Sequence, residues 1–175
     1  MSGDTPIRIP AEGIHLGTVA AGASGDGAYV GGVLKIRGTP AEDCYDTALE
    51  FLGAAQRCLN GNKITDGIPL LVVPGAVCAT FACEMFLKYL VLRTGAKPQK
   101  WHNLLALFQD LSADTQNAIT ASIPSAVEVL TRNSLLFVEG RYHFEQPQFA
   151  FRHAEMLMLA TALHKFCSDK FPRTA

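Results

Sequence analysis

The chain has little charge for its size. Only 18% of its 175 residues are charged, whereas 49% are hydrophobic, and the formal net charge is −1. A balance so close to neutral excludes a global field that would attract nucleic acid or an anionic membrane, so any basic site has to be local. The low share of solvating charges also predicts that part of the apolar surface meets a partner.

Paired cysteines and an uninterrupted apolar run are also missing. The five cysteines are an odd number and form no C-x-x-C pair, which excludes a disulfide framework and predicts a reducing cytoplasm. The longest uncharged apolar run, Ile68–Cys83, contains Pro69, Pro74 and Gly75 and ends before the ~20 residues that span a bilayer. We therefore expect a buried helix there and no association with a membrane.

The first 38 residues differ in composition from the rest, because they hold nine glycines and only short runs that favour strands. The glycines of Gly25–Gly31 follow a G-x-G-x-x-x-G spacing. That spacing is not the dinucleotide fingerprint, and neither a predicted helix nor a Gly-Lys-Ser/Thr ending follows it. We predict an extended N-terminal arm or small hairpin over 1–38 and a single helical-bundle domain over 39–175.

Capping signals divide residues 39–175 into helices. Thr39, Pro40 and Glu42 form a T-x-x-E capping box with proline in the first turn, so a helix begins there. Pro124 breaks a later helix, and Ser125 with Glu128 predicts a second capping box after it. The predicted helices are Pro40–Leu59, Pro74–Thr94, Trp101–Leu111, a kinked helix from Ser112 to Leu136 that restarts after Pro124, and Gln148–Lys170. The fold class is thus all-α.

Three segments, in this order, resemble the HEPN family of antiparallel up-and-down helical bundles. Phe81–Leu90 is similar to the family's small residue, glutamate, apolar pair and leucine-lysine. Trp101–Phe108 resembles its histidine-containing helix start, and Phe137–Glu145 resembles its aromatic, arginine-tyrosine, aromatic-glutamate pattern. The resemblance covers roughly residues 69–165, more than half of the chain.

This resemblance implies a homodimer in which the last helices of two subunits flank a shared cleft. In the family's ribonucleases an arginine and a histidine, with four to six residues between them, meet in that cleft. Here Arg141 is followed by His143 after one residue and Arg152 by His153 at once, while Arg132 has no histidine at the required distance. We therefore expect no metal-independent cleavage of RNA.

The residues with the strongest claim to a site are taken from the same segments. A glutamate on an apolar helix needs a cationic partner, and Lys88, His102 or Arg141 can supply one to Glu84. Arg141 and Glu145 would lie one turn apart on a helix and form an ion pair. The candidate ligand-binding residues are therefore Glu84, Lys88, His102, Arg141 and Glu145.

Other side chains support less specific expectations. Lys88, Arg93, Lys97 and Lys100 form a basic run without acids, which indicates a solvated face or a place for phosphate contacts. His164 and Cys167 are three residues apart, but no second pair of ligands accompanies them, so we predict no metal. His153 follows an apolar stripe and is expected in the core.

The sequence therefore predicts a homodimeric HEPN-like binding module without a cofactor, which recognises a protein partner or a nucleotide or RNA ligand. The alternative is a metal-independent endoribonuclease toxin of a toxin–antitoxin or defence system that uses a rearranged set, Arg141, His143 and His102. A third possibility is a purely structural oligomer. These hypotheses differ in whether His102 and Arg141 meet, and whether a second copy is present.

Overall fold

A computed structural model describes residues 21–23, 28–30, 39–59, 71–145, 147–148 and 150–172. The chain divides into two units, 1–37 and 38–175. In the first, β1 (Ala21–Ala23) and β2 (Ala28–Val30) pair antiparallel, with Gly22 opposite Tyr29. The remaining residues predicted as an arm, including most of Gly25–Gly31, lie outside the described part.

The second unit is all-α. It contains seven α-helices among its described residues: α1 (Pro40–Leu59), α2 (Val72–Arg93), α3 (Leu104–Gln109), α4 (Ala113–Ser122), α5 (Ala126–Arg132), α6 (Leu136–Arg141) and α7 (His153–Lys170). A 3₁₀ turn, His143–Glu145, follows α6.

Helix α2 is the centre of this unit, because α1, α3, α6 and α7 all pack against it. Its buried side chains include Phe86, Leu87 and Leu90, and each such side chain contributes roughly 1.5–3 kcal/mol when it leaves water. By length and composition α2 is also the one described helix that could cross a membrane, but 67% of its most apolar stretch is buried inside the molecule. This burial favours a core helix.

The start of α1 forms as its sequence predicts. The Glu42 carboxylate accepts hydrogen bonds from the Thr39 backbone N–H, at 2.6 Å, and from its hydroxyl, while the Glu42 N–H donates to Thr39 Oγ1. At the other end, α1 and α2 approach closely at Gly75. A Cβ atom there would lie 2.6 Å from Leu59 Cγ and 3.0 Å from Cys58 Cβ. Only glycine fits this contact without movement of α1.

Several helix boundaries differ from the prediction. Helix α2 begins at Val72, because Pro74 then lies in the first turn, where no N–H is needed. Helix α3 begins only at Leu104, since the Asn103 side chain accepts from the Ala106 N–H at 3.0 Å and caps it. The last helix begins at His153, and this histidine is exposed, so its predicted core position is wrong.

The second capping box is also wrong. Ser125 has helical backbone angles and makes no side-chain cap, and Glu128 pairs with Arg132 instead. Helix α5 also ends earlier than predicted, at Arg132 and not at Leu136. At this end the Asn133 side chain donates to the Val129 carbonyl at 2.9 Å, and the chain turns. A separate helix, α6, begins after this turn.

Candidate functional site

A buried carboxylate contacts an ammonium group and an imidazole at the middle of α2. Glu84 is completely buried, and its Oε1 accepts from Lys88 Nζ at 2.6 Å. The Nδ1 atom of His102 lies 3.0 Å from both carboxylate oxygens. The Lys88 side chain is 14% exposed and that of His102 is 40% exposed. The cluster therefore begins in the core and reaches the surface at the imidazole.

Local structure explains why these three residues meet. Glu84 and Lys88 lie one turn apart on α2, in the order that favours an ion pair. His102 follows the end of α2, where Gly95 adopts a positive φ of 78° and reverses the chain. The Leu104 N–H then donates to the Ser134 carbonyl at 3.0 Å, which fixes the segment that carries His102 beside the start of α6.

The tautomer of His102 follows from this geometry. An ionised carboxylate only accepts hydrogen bonds, so Nδ1 donates to Glu84, and in the neutral imidazole Nε2 is then the acceptor. Within the described residues, Glu84 is the only hydrogen-bonding partner of His102. The imidazole can thus accept a proton or a hydrogen bond from a ligand at Nε2, in an orientation that Glu84 maintains.

Phe137 joins this cluster to Arg141. The ring centroid of Phe137 lies 4.9 Å from that of His102 and 4.7 Å from that of Phe81, on which it stacks. The Arg141 guanidinium lies over the same Phe137 ring, at 4.2 Å from its centroid, and its Nε donates to the Phe137 carbonyl at 3.1 Å. Arg141 is exposed, so a fixed positive charge faces solvent next to the cluster.

Glu145 and His143 take other roles than expected. Helix α6 ends at Arg141, and among the described residues Arg141 makes no ion pair with Glu145, because the 3₁₀ turn carries Glu145 away from helical register. His143 Nδ1 lies 3.0 Å from the Gly140 carbonyl, which holds the ring at the end of α6. Of the five candidate ligand-binding residues, the structure brings Glu84, Lys88 and His102 into direct contact and Arg141 into contact with Phe137.

Sequence reasoning missed Phe137 and Cys44. Cys44, on α1, donates its S–H to the Met85 carbonyl at 3.2 Å. Burial raises the pKa of this thiol to about 11, the Lys88 charge lowers it and the Glu84 charge raises it. A thiol with this pKa is protonated at neutral pH and is a poor nucleophile. The aromatic spacing of Phe81, Phe86 and Phe137 marks apolar positions but does not indicate which of them contacts His102.

The basic run is divided by the fold. Lys97 and Lys100 line a shallow open concavity together with Pro98, Gln99 and Trp101, and Trp101 is 62% exposed. Arg93 instead places its guanidinium 4.6 Å from the centroid of the Phe171 ring. The lysines and the exposed indole therefore form one surface directly before His102 in the chain.

No three metal-ligating side chains come together within the described part of the chain. Burial raises the pKa of the Cys167 thiol to about 12 and that of Cys83 further, so neither is available as a thiolate at neutral pH. His164 lies among rings, with its centroid 5.8 Å from that of Phe86 and 6.0 Å from that of Tyr45. Cys167 is a core residue, and His164 is half-buried beside it.

Comparison of the chain with protein-family models, with curated proteins and with solved structures finds no match. The functional assignment therefore depends on the residues themselves.

Proposed function

We propose that this chain is a homodimeric, cytoplasmic binding module with an HEPN-like helix arrangement, and that it binds a nucleotide or RNA ligand without cleaving it. One observation carries the proposal. The buried Glu84 holds His102 at the surface, beside the Phe137 ring on which the exposed Arg141 lies. The Arg141 guanidinium can donate to a phosphate oxygen, and Nε2 of His102 can accept a hydrogen bond from a ribose hydroxyl.

The surrounding surface supports the same ligand class. Lys97 and Lys100 add positive charge, and the exposed rings of Trp101, Tyr142 and Phe144 can stack on bases. Tyr142 and Phe144 lie one and three residues after Arg141, and Trp101 directly precedes His102. Both segments thus carry basic and aromatic side chains. Proteins bind single-stranded nucleic acids through this combination, because basic groups bind the phosphates and aromatic rings stack on the flat faces of the bases.

Fluorescence anisotropy of a labelled single-stranded RNA oligonucleotide, measured over a range of salt concentrations, tests this function. Binding weakens steeply with salt, and Arg141→Ala lowers the affinity and reduces the salt dependence by about one phosphate contact. Arg57→Ala, which removes an exposed arginine of α1, is the matched control and leaves binding unchanged. No RNA binding by the wild-type protein would contradict the proposal.

The alternative function is a metal-independent ribonuclease, which the fixed tautomer of His102 favours. His102 would take the proton of the ribose 2′-hydroxyl at Nε2, while Arg141 would stabilise the charge on the phosphorane. The role of His143 is weaker, because its ring is bound to the Gly140 carbonyl. To decide between binding and cleavage, mixed RNA is incubated with the purified protein in the presence of a metal chelator. Cleavage that Arg141→Ala abolishes would replace the binding module with the nuclease.

A further inference from the structure

A groove between α5 and α7 lies outside the site described above. Its volume is about 230 Å³, and apolar side chains form most of its lining: Ile123, Val129, Met158, Leu159 and Ala162. Met158 is 71% exposed, although its neighbour Leu159 is buried in the core. A flexible apolar side chain thus stands free beside an apolar groove.

Four charges form a line of ion pairs with alternating sign, and three of them, Glu128, Arg132 and Glu155, line this groove. Glu128 pairs with Arg132, Arg132 pairs with Glu155 at 2.6 Å, and Glu155 pairs with Arg152 at 2.9 Å. Hydrogen bonds from Arg152 and Arg132 hold the pKa of Glu155 below its usual value, so this carboxylate is ionised at neutral pH. The two end residues are the most open, with side chains 70% exposed for Glu128 and 68% for Arg152.

This order, negative, positive, negative, positive, is complementary to itself. When a two-fold axis passes through its centre, the line of one copy runs opposite the reversed line of the other, and each charge then faces one of opposite sign. Glu128 faces Arg152 at both ends, and Arg132 faces Glu155 in the middle. The same axis places the free Met158 of each copy over the groove of the other, which supplies the apolar centre that a specific interface needs.

We infer that the α5–α7 groove is the homodimer interface, occupied by Met158 of a second copy and oriented by the pairing of Glu128 with Arg152 across the two-fold axis. This inference rests on the homodimer in the proposed function and adds the face through which it forms.

Charge reversal tests the interface by sedimentation velocity. Glu128→Arg places two arginines opposite each other, and Arg152→Glu places two glutamates opposite each other, so each variant alone raises the dimer Kd by roughly a hundredfold. The two variants mixed in equal amounts form a heterodimer, because both ends of the line then pair an arginine of one copy with a glutamate of the other. The double variant dimerises with itself for the same reason. Circular dichroism verifies that each variant is folded.

Glu50→Arg and Arg57→Glu reverse exposed charges on α1 and leave the dimer unchanged, whereas Met158→Glu dissociates it. A dimer that survives all the groove variants would overturn this interface and leave the proposed function standing. A wild-type monomer at micromolar concentration would remove the homodimer from both. Loss of the dimer in the mixture and in the double variant alike would mean that the charges act only within one chain, where neither restores the pairs with Arg132 and Glu155, and would also overturn the inference.

Discussion

The buried carboxylate of Glu84 makes the stability of the helical unit depend on Lys88. Lys88→Met removes the ammonium group but keeps most of the apolar stem, so Glu84 is left with His102 alone. Breaking a buried pair in this way costs about 3–5 kcal/mol, because an underpaired charge remains in the core. We expect about 3 kcal/mol, the lower end, because Lys88 is 14% exposed and His102 stays in place.

Urea unfolding followed by circular dichroism measures this loss. For a chain of this size, about 3 kcal/mol corresponds to a fall in Tm of roughly 6–12 °C. The matched control is Lys165→Met, which removes an exposed lysine with the same spacing from Asp169, at 2.7 Å. An exposed pair of this kind contributes about 0.3–0.5 kcal/mol. The loss of stability in Lys88→Met is therefore about six or more times that in Lys165→Met.

A double variant shows whether the lost stability of Lys88→Met comes from the underpaired Glu84 carboxylate or from lost packing of the lysine stem. In Glu84→Gln/Lys88→Met no underpaired carboxylate remains, so the double variant is more stable than Lys88→Met alone. If Lys88→Met unfolds within about 0.5 kcal/mol of the wild type, as the exposed control does, then Glu84 is not a buried charge that needs Lys88. The reasoning that makes His102 an oriented imidazole would then be wrong.

Three further predictions concern the rest of the helical unit. Gly75→Ala lowers stability by about 1 kcal/mol in thermal unfolding, because overpacking against Leu59 outweighs the gain in helix propensity; an increase in Tm would contradict the close contact. Thr39→Ala costs about 1 kcal/mol through loss of the capping box, with Thr39→Ser as the control that retains it. At pH 8, alkylation followed by mass spectrometry leaves Cys83 and Cys167 unmodified in the folded protein and modifies both in urea, since burial raises their pKa values; labelling of either under native conditions would refute their burial.

Local signals predicted much of the fold. The bounds of α1 agree with those predicted from its capping box and from the sequence Asn60-Gly61, a typical helix stop, and the all-α class follows from helical spacing. Boundaries failed where tertiary contacts decided them. The chain turns after α5 at Asn133, whose side chain donates a hydrogen bond to the Val129 carbonyl. The pattern of the surrounding residues did not indicate that the helix ends there. The HEPN-like arrangement of the helices stays a prediction.

The site was predictable to the extent that it is local. Glu84 and Lys88 are one helical turn apart, so their pairing can be read from spacing. His102 lies 18 residues from Glu84, and their contact depends on the reversal at Gly95 and on the docking of the following segment. Phe137 could not be identified, because its role depends on α6 being a separate helix. The Arg141–Glu145 pair failed for the same reason.

A row of aromatic rings ties the candidate site to a helix that contributes none of its charged groups. Phe51 of α1 lies 4.5 Å, centroid to centroid, from Phe81, and Phe81 stacks on Phe137 beneath Arg141. The position of the Arg141 guanidinium therefore depends, through these three rings, on how α1 packs against α2. Substitutions that repack α1 against Phe81 could therefore move the Arg141 guanidinium without changing any charged residue of the candidate site.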